Sequence, residues 1–246
     1  MDKLLYIAMS GAKETLRAQA ANNHNLANAS TTGFRADLSA FQSRAVVGSG
    51  FASRVYATNA TTGWDSTLGA QISTGRDLDV AVQGEGFIAV QGSNGKEAYT
   101  RAGDLHVDPN GQLITGTGRP VLGDGGPISV PPSTSVSVAA DGTISIVPLG
   151  QGPETTASVG RIKLVNPPRD SLERSEDGLF RMKDGSDAPS DAAVHVAAGV
   201  LESSNVNVAD AMVHMIELAR SFELQVKTMH TTEENAAAST QLLRIG

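Results

Sequence analysis

Residues 206–229, VNVADAMVHMIELARSFELQVKTM, carry the periodic pattern that decides how this chain folds. Apolar residues recur there at alternating intervals of four and three, and the same spacing continues to Leu243. This spacing places the apolar side chains on one face of an α-helix. Asn207 is predicted to cap that helix, because its side-chain oxygen can accept hydrogen bonds from the first free backbone amides. We therefore predict a C-terminal helix over 207–246. The apolar members of its seam are Val208, Met212, Met215, Ala219, Phe222, Val226, Met229, Ala236 and Leu243.

A second helical pattern of the same period opens the chain. We call the residues that recur on one face of a predicted helix its seam. The seam of this N-terminal helix becomes polar toward its end, in the asparagine-rich stretch NNHNLANASTTGF at 22–34. Asparagine disfavours helix interiors because its short amide competes for nearby backbone groups. Gly33 then permits a turn with positive φ. We predict an N-terminal helix over 1–33. The apolar members of its seam are Leu5, Met9, Ala12, Leu16 and Leu26.

Between the two helices the sequence has the alternating apolar pattern of β-strands. Residues 78–103 alternate in this way between glycine-rich turns, and 135–147 are predicted to form a hairpin with Asp-Gly at its tip. Turn signals recur about every ten residues across 77–195, which is typical of an antiparallel sandwich or barrel. Residues 34–76 have no clear period, and we predict that they form an extended connector.

The predicted fold class is α+β. The terminal helices are predicted to form a coiled-coil-like core domain, joined to a central all-β domain by the extended connector and by a return connector at 196–206. A helix cannot bury its own apolar seam. The two seams are therefore expected to bury each other and then neighbouring subunits. The alternative is a monomer in which both helices pack on the β domain.

The composition argues against several classes of function. The formal net charge is -7 at pH 7 and no long basic run occurs, so binding of nucleic acid or of an anionic membrane is not expected. The apolar run at 4–9 is too short to cross a membrane or to act as a secretory signal. Cysteine is absent, which excludes disulfides and thiolate ligands, and no two histidines have metal-ligand spacing on a helix. No cofactor, metal ion or small-molecule substrate is predicted.

Three short motifs resemble catalytic or ligand-binding sequences but lack their context. Ser10 and Lys13 have the S-x-x-K spacing of some serine hydrolases, yet the partner motifs Ser-Asp-Asn and Lys-Thr-Gly are absent. GEGFIA at 84–89 precedes a strand-like run, whereas a dinucleotide fingerprint opens a helix. The segment from Asp108 has Arg119 where a calcium loop needs glutamate. A cell-wall enzyme and a free β-domain adhesin stay open as alternatives, but no catalytic residue is predicted.

Longer segments carry a resemblance to a known family. NNHNLANASTTGFR (22–35) resembles the N-terminal signature of flagellar rod and hook proteins, and GVLESSNVNVADAMVHMIELARSFELQVKTM (199–229) resembles their C-terminal signature. GRDLDVAVQGEGFIAV (75–90) and YTRAGDLHVDPNGQL (99–113) resemble the central β domain of the same family. The segments occur in the family's order, and the resemblance extends over nearly the whole chain.

This resemblance implies a structural subunit of the bacterial flagellar basal-body rod, without enzymatic activity or cofactor. The chain looks most similar to a proximal rod subunit, and a distal rod or hook-type axial protein is the alternative. The terminal helices would polymerise as the inner layer of a helical tube, the drive shaft that transmits motor torque toward the hook. The implied partners are other copies of the chain, other rod proteins, and the type III export apparatus that delivers the chain to the periplasm without a cleaved signal.

In such an assembly, the two seams and the asparagine-rich segment become the interface. We interpret the asparagine cluster as a joint, where the helix stops and amides bond locally or to neighbouring subunits. The predicted assembly residues are Leu5, Met9, Ala12, Leu16, Asn25, Leu26, Asn28, Gly33, Phe34, Asn205, Asn207, Met212, Met215, Ile216, Ala219, Arg220, Phe222, Glu223, Val226, Met229 and Leu243.

Overall fold

The chain divides into two compact units that alternate along the sequence. The computed structural model describes residues 2–45, 55–152, 154–175 and 177–245, with side chains described at all of these except 2–3, 45, 59–62 and 242–245. The helical unit consists of Met1–Ala29, Ala36–Asp65 and Val206–Gly246, and the β unit consists of Ser30–Arg35 and Ser66–Asn205. The backbone therefore passes between the units at four points.

In its described part, the helical unit contains two helices and two paired strands: α1 (Asp2–Ala27), β1 (Asp37–Ala45), β2 (Val55–Trp64) and α2 (Val208–Ile245). β1 and β2 pair antiparallel, with Asp37 opposite Trp64 and a bulge after Leu38. This hairpin lies in the range predicted as an extended connector. Leu38, Phe41 and Val55 are all exposed, so the alternation that identifies a half-buried strand in a sequence is missing here.

The two helices pack side by side and antiparallel. Asn22 of α1 donates a hydrogen bond to the Ala211 carbonyl of α2 at 2.8 Å. Further along, a Cβ on Gly11 would lie 2.9 Å from the Gln225 side chain. The residues of α1 that recur on this face are small or polar: Ala8, Gly11, Thr15, Ala18 and Asn22. The corresponding face of α2 comprises Ala211, Met215, Leu218, Phe222, Gln225 and Thr232.

The predicted coiled-coil-like core is therefore wrong. On α1 the observed contact face lies one residue before the predicted seam, which leaves Leu5, Met9 and Leu16 exposed. On α2, the observed face includes Met215 and Phe222 of the predicted seam, but Met212 and Val226 are exposed. A coiled coil requires a continuous apolar heptad seam. Here α1 instead offers small residues that allow close approach to the side chains of α2, and Asn22 donates a buried hydrogen bond across the contact.

The β unit is built from short antiparallel strands. They are β3 (Gln71–Ser73), β4 (Val80–Gln83), β5 (Phe87–Gln91), β6 (Glu97–Thr100), β7 (Leu105–Val107), β8 (Leu113–Thr115), β9 (Leu122–Gly123), β10 (Gly126–Pro127), β11 (Ser133–Val138), β12 (Thr143–Pro148), β13 (Ala157–Arg161), β14 (Leu164–Val165), β15 (Leu172–Arg174), β16 (Phe180–Met182), β17 (His195–Ala198) and β18 (Val200–Glu202). A single turn of 3-10 helix at Arg169–Ser171 precedes β15. The largest sheet has five strands in the order β14-β5-β6-β16-β15, and β11-β12-β13 form a three-stranded sheet. The two-stranded pairs are β17-β4, β18-β3, β7-β8 and β10-β9.

One apolar core underlies these small sheets. In β5 the run Phe87–Val90 is buried throughout, as expected for a strand covered on both faces. β12 instead alternates, with Ile144 and Ile146 buried and Ser145 between them only partly so. The predicted hairpin with an Asp-Gly tip is confirmed, because β11 pairs with β12 and Gly142 has a φ of 84°.

The prediction of a sandwich or barrel is wrong. No closed barrel forms in the described part of the β unit, where several small antiparallel sheets surround the core instead. Closure into a barrel needs strands long enough to pair continuously around the core. Frequent turns keep these strands too short for that, the longest being six residues. Two terminal helices do flank a mostly β region, as the sequence pattern indicates.

The backbone at Gly103 lies very close to the backbone at Val80 in the β unit, and a substitution of Gly103 tests this contact. A Cβ there would lie 1.7 Å from the Val80 carbonyl oxygen, a backbone atom that cannot rotate away. Gly103→Ala is therefore expected to lower the free energy of unfolding by about 1–3 kcal/mol, measured by denaturant titration. Gly125→Ala is the matched control, because no atom lies within 4 Å of its Cβ position. Equal stability of the two variants would contradict this close approach.

Candidate assembly site

The asparagine-rich segment lies where α1 ends and the hairpin of the helical unit begins. Asn25 Nδ2 donates to the Asp37 carbonyl at 3.0 Å, and its Oδ1 accepts from the Asp37 amide at 2.8 Å. The His24 ring lies beside the Asp37 carboxylate, with Nδ1 2.7 Å from Oδ2. Asn28 donates to the His24 carbonyl at 2.9 Å. The amides thus bond locally and fasten the start of β1 to the last turns of α1.

The start of α2 has the cap that its sequence predicts. Asn207 Oδ1 accepts hydrogen bonds from the backbone amides of Ala209 at 3.0 Å and Asp210 at 3.4 Å. Its Nδ2 donates to the Asp210 carboxylate at 2.7 Å. An acidic residue in the first turn is also favourable beside the positive end of the helix dipole. Asn207 is therefore the N-cap of α2, which begins at Val208.

Glu202 at the end of β18 is 2% exposed, and its carboxylate lies between two arginine side chains. Arg35 Nη2 lies 2.6 Å from Oε1, and Arg101 Nε lies 2.7 Å from Oε2. The Gly69 amide donates to Oε1 at 3.0 Å. Both arginines are buried as well, at 1% and 3% exposure. We call Arg35, Arg101 and Glu202 the buried triad, in which close pairing offsets the cost of removing three charges from water.

Both arginines of the buried triad also donate hydrogen bonds to backbone carbonyls. Arg101 donates to Gly86 at 2.7 Å and to Val82 at 3.0 Å. Arg35 donates to Thr67 at 2.6 Å. These contacts connect the buried triad to the turn before β5, to β4 and to the segment that re-enters the β unit after the hairpin.

The segments that enter and leave the β unit converge on the buried triad. The Gly33 amide donates to the Glu202 carbonyl at 2.8 Å, and the Asn205 amide donates to the Phe34 carbonyl at 3.3 Å. A Cβ on Gly33 would lie 2.3 Å from the Arg101 carbonyl carbon, and the φ of Gly33 is +66°. Both the close approach and the positive φ favour glycine there. The chain before α2 is thereby held beside the chain after α1.

Bulky apolar side chains lie on the outside of the helix pair, where they form a candidate docking surface. Met9 is 52% exposed on α1, and Ile216 is 55% exposed on α2. Among the described side chains of the two helices, the other exposed large apolar residues are Leu4, Leu5, Tyr6 and Leu16 on α1, and Val208, Met212, Val213, Leu224 and Val226 on α2.

The predicted assembly residues occupy several environments. Those exposed in the isolated chain are Leu5, Met9, Leu16, Asn207, Met212, Ile216, Arg220, Glu223 and Val226. Ala12 is buried, and the half-buried members of the helical unit are Asn25, Leu26, Asn28, Met215, Ala219, Phe222 and Met229. Gly33, Phe34 and Asn205 belong to the β unit, and Asn207 caps α2. The Leu243 side chain lies outside the described residues, and contact of any of these residues with another subunit stays a prediction.

Sequence reasoning did not single out the buried triad. Arg35 is the one charged residue in 22–35, and Glu202 is the one charged residue in 199–207. An isolated positive charge and an isolated negative charge in otherwise uncharged segments indicate an ion pair, so the pairing of Arg35 with Glu202 could have been inferred from the sequence. Arg101 has no comparable signal, because its burial depends on the packing of β4 and the turn before β5 around it.

The short motifs with catalytic or ligand-binding resemblance have structural roles. Ser10 Oγ donates to the Ala57 carbonyl at 3.4 Å, and GEGFIA leads into β5 rather than a helix. The Asp108 carboxylate accepts hydrogen bonds from the backbone amides of Gln112 and Asn110. The pKa of Asp108 is lowered, and the hydrogen bond from Gln112 is the main cause. Within the described ranges, no three His, Asp or Glu side chains are grouped to hold a metal ion. None of the described helices has the length and hydropathy needed to cross a bilayer.

Comparison with known proteins shows the family to which the chain belongs. The family model described as flagellar hook protein FlgE/F/G D1 domain matches residues 81–146, and that of the flagellar basal body rod FlgEFG protein C-terminal matches 197–242. The chain is 45% identical to flagellar basal-body rod protein FlgF of Salmonella typhimurium, over 99% of both sequences. It is 35% identical to the FlgF protein of Caulobacter vibrioides over 99% of this chain and 98% of the relative. It is 30% identical to flagellar basal-body rod protein FlgG of Bacillus subtilis over 95% and 96%.

The chain therefore belongs to the family of flagellar basal-body rod and hook proteins. Its full-length similarity at 45% identity groups it, within that family, with the flagellar basal-body rod proteins FlgF.

Replacing the central carboxylate tests the buried triad. Glu202→Gln leaves two buried guanidinium groups without a countercharge, and it is expected to lower the free energy of unfolding by about 3–5 kcal/mol. The measurement is denaturant unfolding followed by circular dichroism. Glu173→Gln is the control, because Glu173 is exposed in the same unit and its amide variant should be near neutral. A Glu202 variant as stable as this control would show that the triad does not hold the β unit together.

Asn25→Ala tests the joint at the end of α1. The change removes both hydrogen bonds to the Asp37 backbone, and it is expected to destabilise the helical unit by about 1–3 kcal/mol. Asn23→Ala is the matched control, because Asn23 is exposed on the same turn. Hydrogen exchange at the amides of β1 should rise in the Asn25 variant only. Unchanged exchange there would remove the evidence for a joint.

Proposed function

We propose that this chain is a structural subunit of the flagellar basal-body rod and that it assembles through the exposed faces of its terminal helices. The observation that carries the proposal is the set of bulky apolar side chains on the outside of the helix pair, among them Met9, Leu16, Met212 and Ile216. A chain that acts alone gains nothing from exposing so many apolar groups on one pair of elements. A subunit buries them against its neighbours.

Burial of these side chains supplies the free energy of assembly. Complete burial of one apolar side chain of this size contributes about 1.5–3 kcal/mol relative to full exposure. On its α1 side, the contact with α2 is made by small and polar residues, including Gly11, Thr15 and Asn22. The large exposed side chains lie outside this contact, and we expect neighbouring subunits to bury them.

Within the rod, the proposed position is proximal, and the proposed compartment is the periplasm. The similarity to FlgF proteins supports a location in the flagellar basal body. The proposed partners are further copies of this chain, other rod proteins, and the flagellar type III export apparatus, which delivers the chain without a cleaved signal. In the finished tube, the helices form the inner layer of a drive shaft that transmits torque toward the hook. The proposed role requires no catalytic residue and no cofactor.

A distal rod subunit is the second candidate. It is motivated by 30% identity to the FlgG protein of Bacillus subtilis over 95% of this chain. The 45% identity to the FlgF protein of Salmonella typhimurium favours the proximal position.

Charged substitutions on the exposed helix faces test the assembly proposal. Met9→Asp and Ile216→Asp are expected to abolish motility in cells that lack the wild-type gene, because burial of an unpaired carboxylate opposes docking. Circular dichroism of the purified variants should match that of the unchanged protein, since both positions are exposed. Leu149→Asp is the matched control, because Leu149 is 65% exposed in the β unit and lies outside the proposed interface. Complete rods and normal swimming in the helix variants would contradict the proposal.

A further inference from the structure

The sulfur atoms of this chain are all methionine thioethers, because it has six methionines and no cysteine. Five of the methionines have side chains that the structure describes, and their exposure differs. Met9 on α1 is 52% exposed and Met212 on α2 is 51% exposed. Met182, Met215 and Met229 are half-buried. Because oxidation requires access to the sulfur, Met9 and Met212 are expected to react with an oxidant before the other three.

Oxidation of a methionine transfers one oxygen atom to its sulfur. With hydrogen peroxide, the O–O bond breaks and an S–O bond forms. The thioether is oxidised by two electrons, and the peroxide is reduced to water. The product is a sulfoxide, which replaces a flexible apolar side chain with a polar one. A methionine sulfoxide reductase reverses the change, removing the oxygen as water while two thiols are oxidised to a disulfide.

The surroundings of Met212 offer no partner for a sulfoxide oxygen. The residues one turn away on α2 are Val208, Ala209, Met215 and Ile216, and none of them has a side-chain hydrogen-bond donor. Water can solvate the sulfoxide while Met212 is exposed. Contact with another molecule would remove that water and leave a buried acceptor unpaired, which opposes the contact.

Met9 differs from Met212 in having a cation beside it. Lys13 is exposed one turn further along α1, and its ammonium group can donate a hydrogen bond to a sulfoxide oxygen. Oxidation of Met9 is therefore expected to weaken a contact less than oxidation of Met212.

We propose that Met212, and to a smaller extent Met9, are oxidation sites at which sulfoxide formation in the free chain blocks its assembly until a reductase restores the thioether. The proposal rests on the proposed function, because it requires that neighbouring subunits bury these side chains. The same burial protects both sulfurs in the finished rod. Subunits that have not yet assembled are therefore the form that responds to an oxidant.

Peptide mapping by mass spectrometry tests the site. Purified chain is treated with limiting hydrogen peroxide, and sulfoxide formation is expected to be several-fold faster at Met9 and Met212 than at Met182, Met215 and Met229. Incubation with a methionine sulfoxide reductase and dithiothreitol should restore both thioethers. In isolated basal bodies treated in the same way, Met9 and Met212 should be protected. Equal rates at all five methionines of the free chain, or equal oxidation of Met212 in the free chain and in basal bodies, would overturn the proposal.

Met212→Gln tests the consequence for assembly, because glutamine presents a polar oxygen at a similar distance from the backbone. Met212→Leu is the matched control, which stays apolar and cannot be oxidised; the three residues have similar helix propensity. In cells that lack the wild-type gene, the Gln variant is expected to lose most motility and the Leu variant to keep it. Circular dichroism of both purified variants should match that of the unchanged protein, since Met212 is exposed.

The aspartate variants Met9→Asp and Ile216→Asp separate this proposal from the proposed function. Normal swimming of the aspartate variants would overturn both, because the helix faces would then not be buried. Loss of swimming in the aspartate variants, together with equal swimming of Met212→Gln and Met212→Leu, would overturn the oxidation proposal alone. Loss of swimming in the aspartate and Gln variants, with normal swimming of the Leu variant, is the expected result.

Discussion

The carboxylate of Glu202 is the group on which the architecture of the β unit depends. It lies between the guanidinium groups of Arg35 and Arg101, and all three side chains are almost completely excluded from water. A buried charge is costly unless an opposite charge pairs with it, so the ion pairs hold the three segments that carry these residues close together. Two of those segments connect the β unit to α1 and α2. Within the β unit, Gly33 allows the backbone to pass close to Arg101 beside this ion pair.

The side chains of α1 that contact α2 differ from the large apolar side chains that both helices expose. Small and polar residues such as Ala18 and Asn22 face the partner helix, whereas Met9 and Ile216 face outward. Close approach, the buried hydrogen bond from Asn22 and apolar side chains of α2 such as Leu218 hold the pair together. The exposed apolar side chains are the ones proposed to contact neighbouring subunits.

Several elements could be predicted from local pattern alone. The N-cap at Asn207, the long helix after it and the Asp-Gly hairpin of β11 and β12 depend on residues close together in the sequence, and the structure confirms them. The hairpin formed by β1 and β2 could not be predicted, because its exposed strands lack alternation. On α1 the contact face was predicted one residue away from its true position, whereas on α2 the predicted Met215 and Phe222 do lie on the observed face. Hydrophobic periodicity identifies the most apolar face, and in an assembling subunit that face is not the one buried within the chain.

By itself, the sequence determined that two helices flank a β region, that neither cysteine chemistry nor a long basic patch is available, and to which family the chain belongs. These properties follow from composition, period and local motifs. The tertiary structure decided the pairing of Glu202 with Arg35 and Arg101, the face through which α1 meets α2, and the division of the β region into small sheets. Those outcomes depend on the close approach of segments far apart in the chain. Whether a charge can be buried, or which face of a helix is covered, is settled only when distant groups meet.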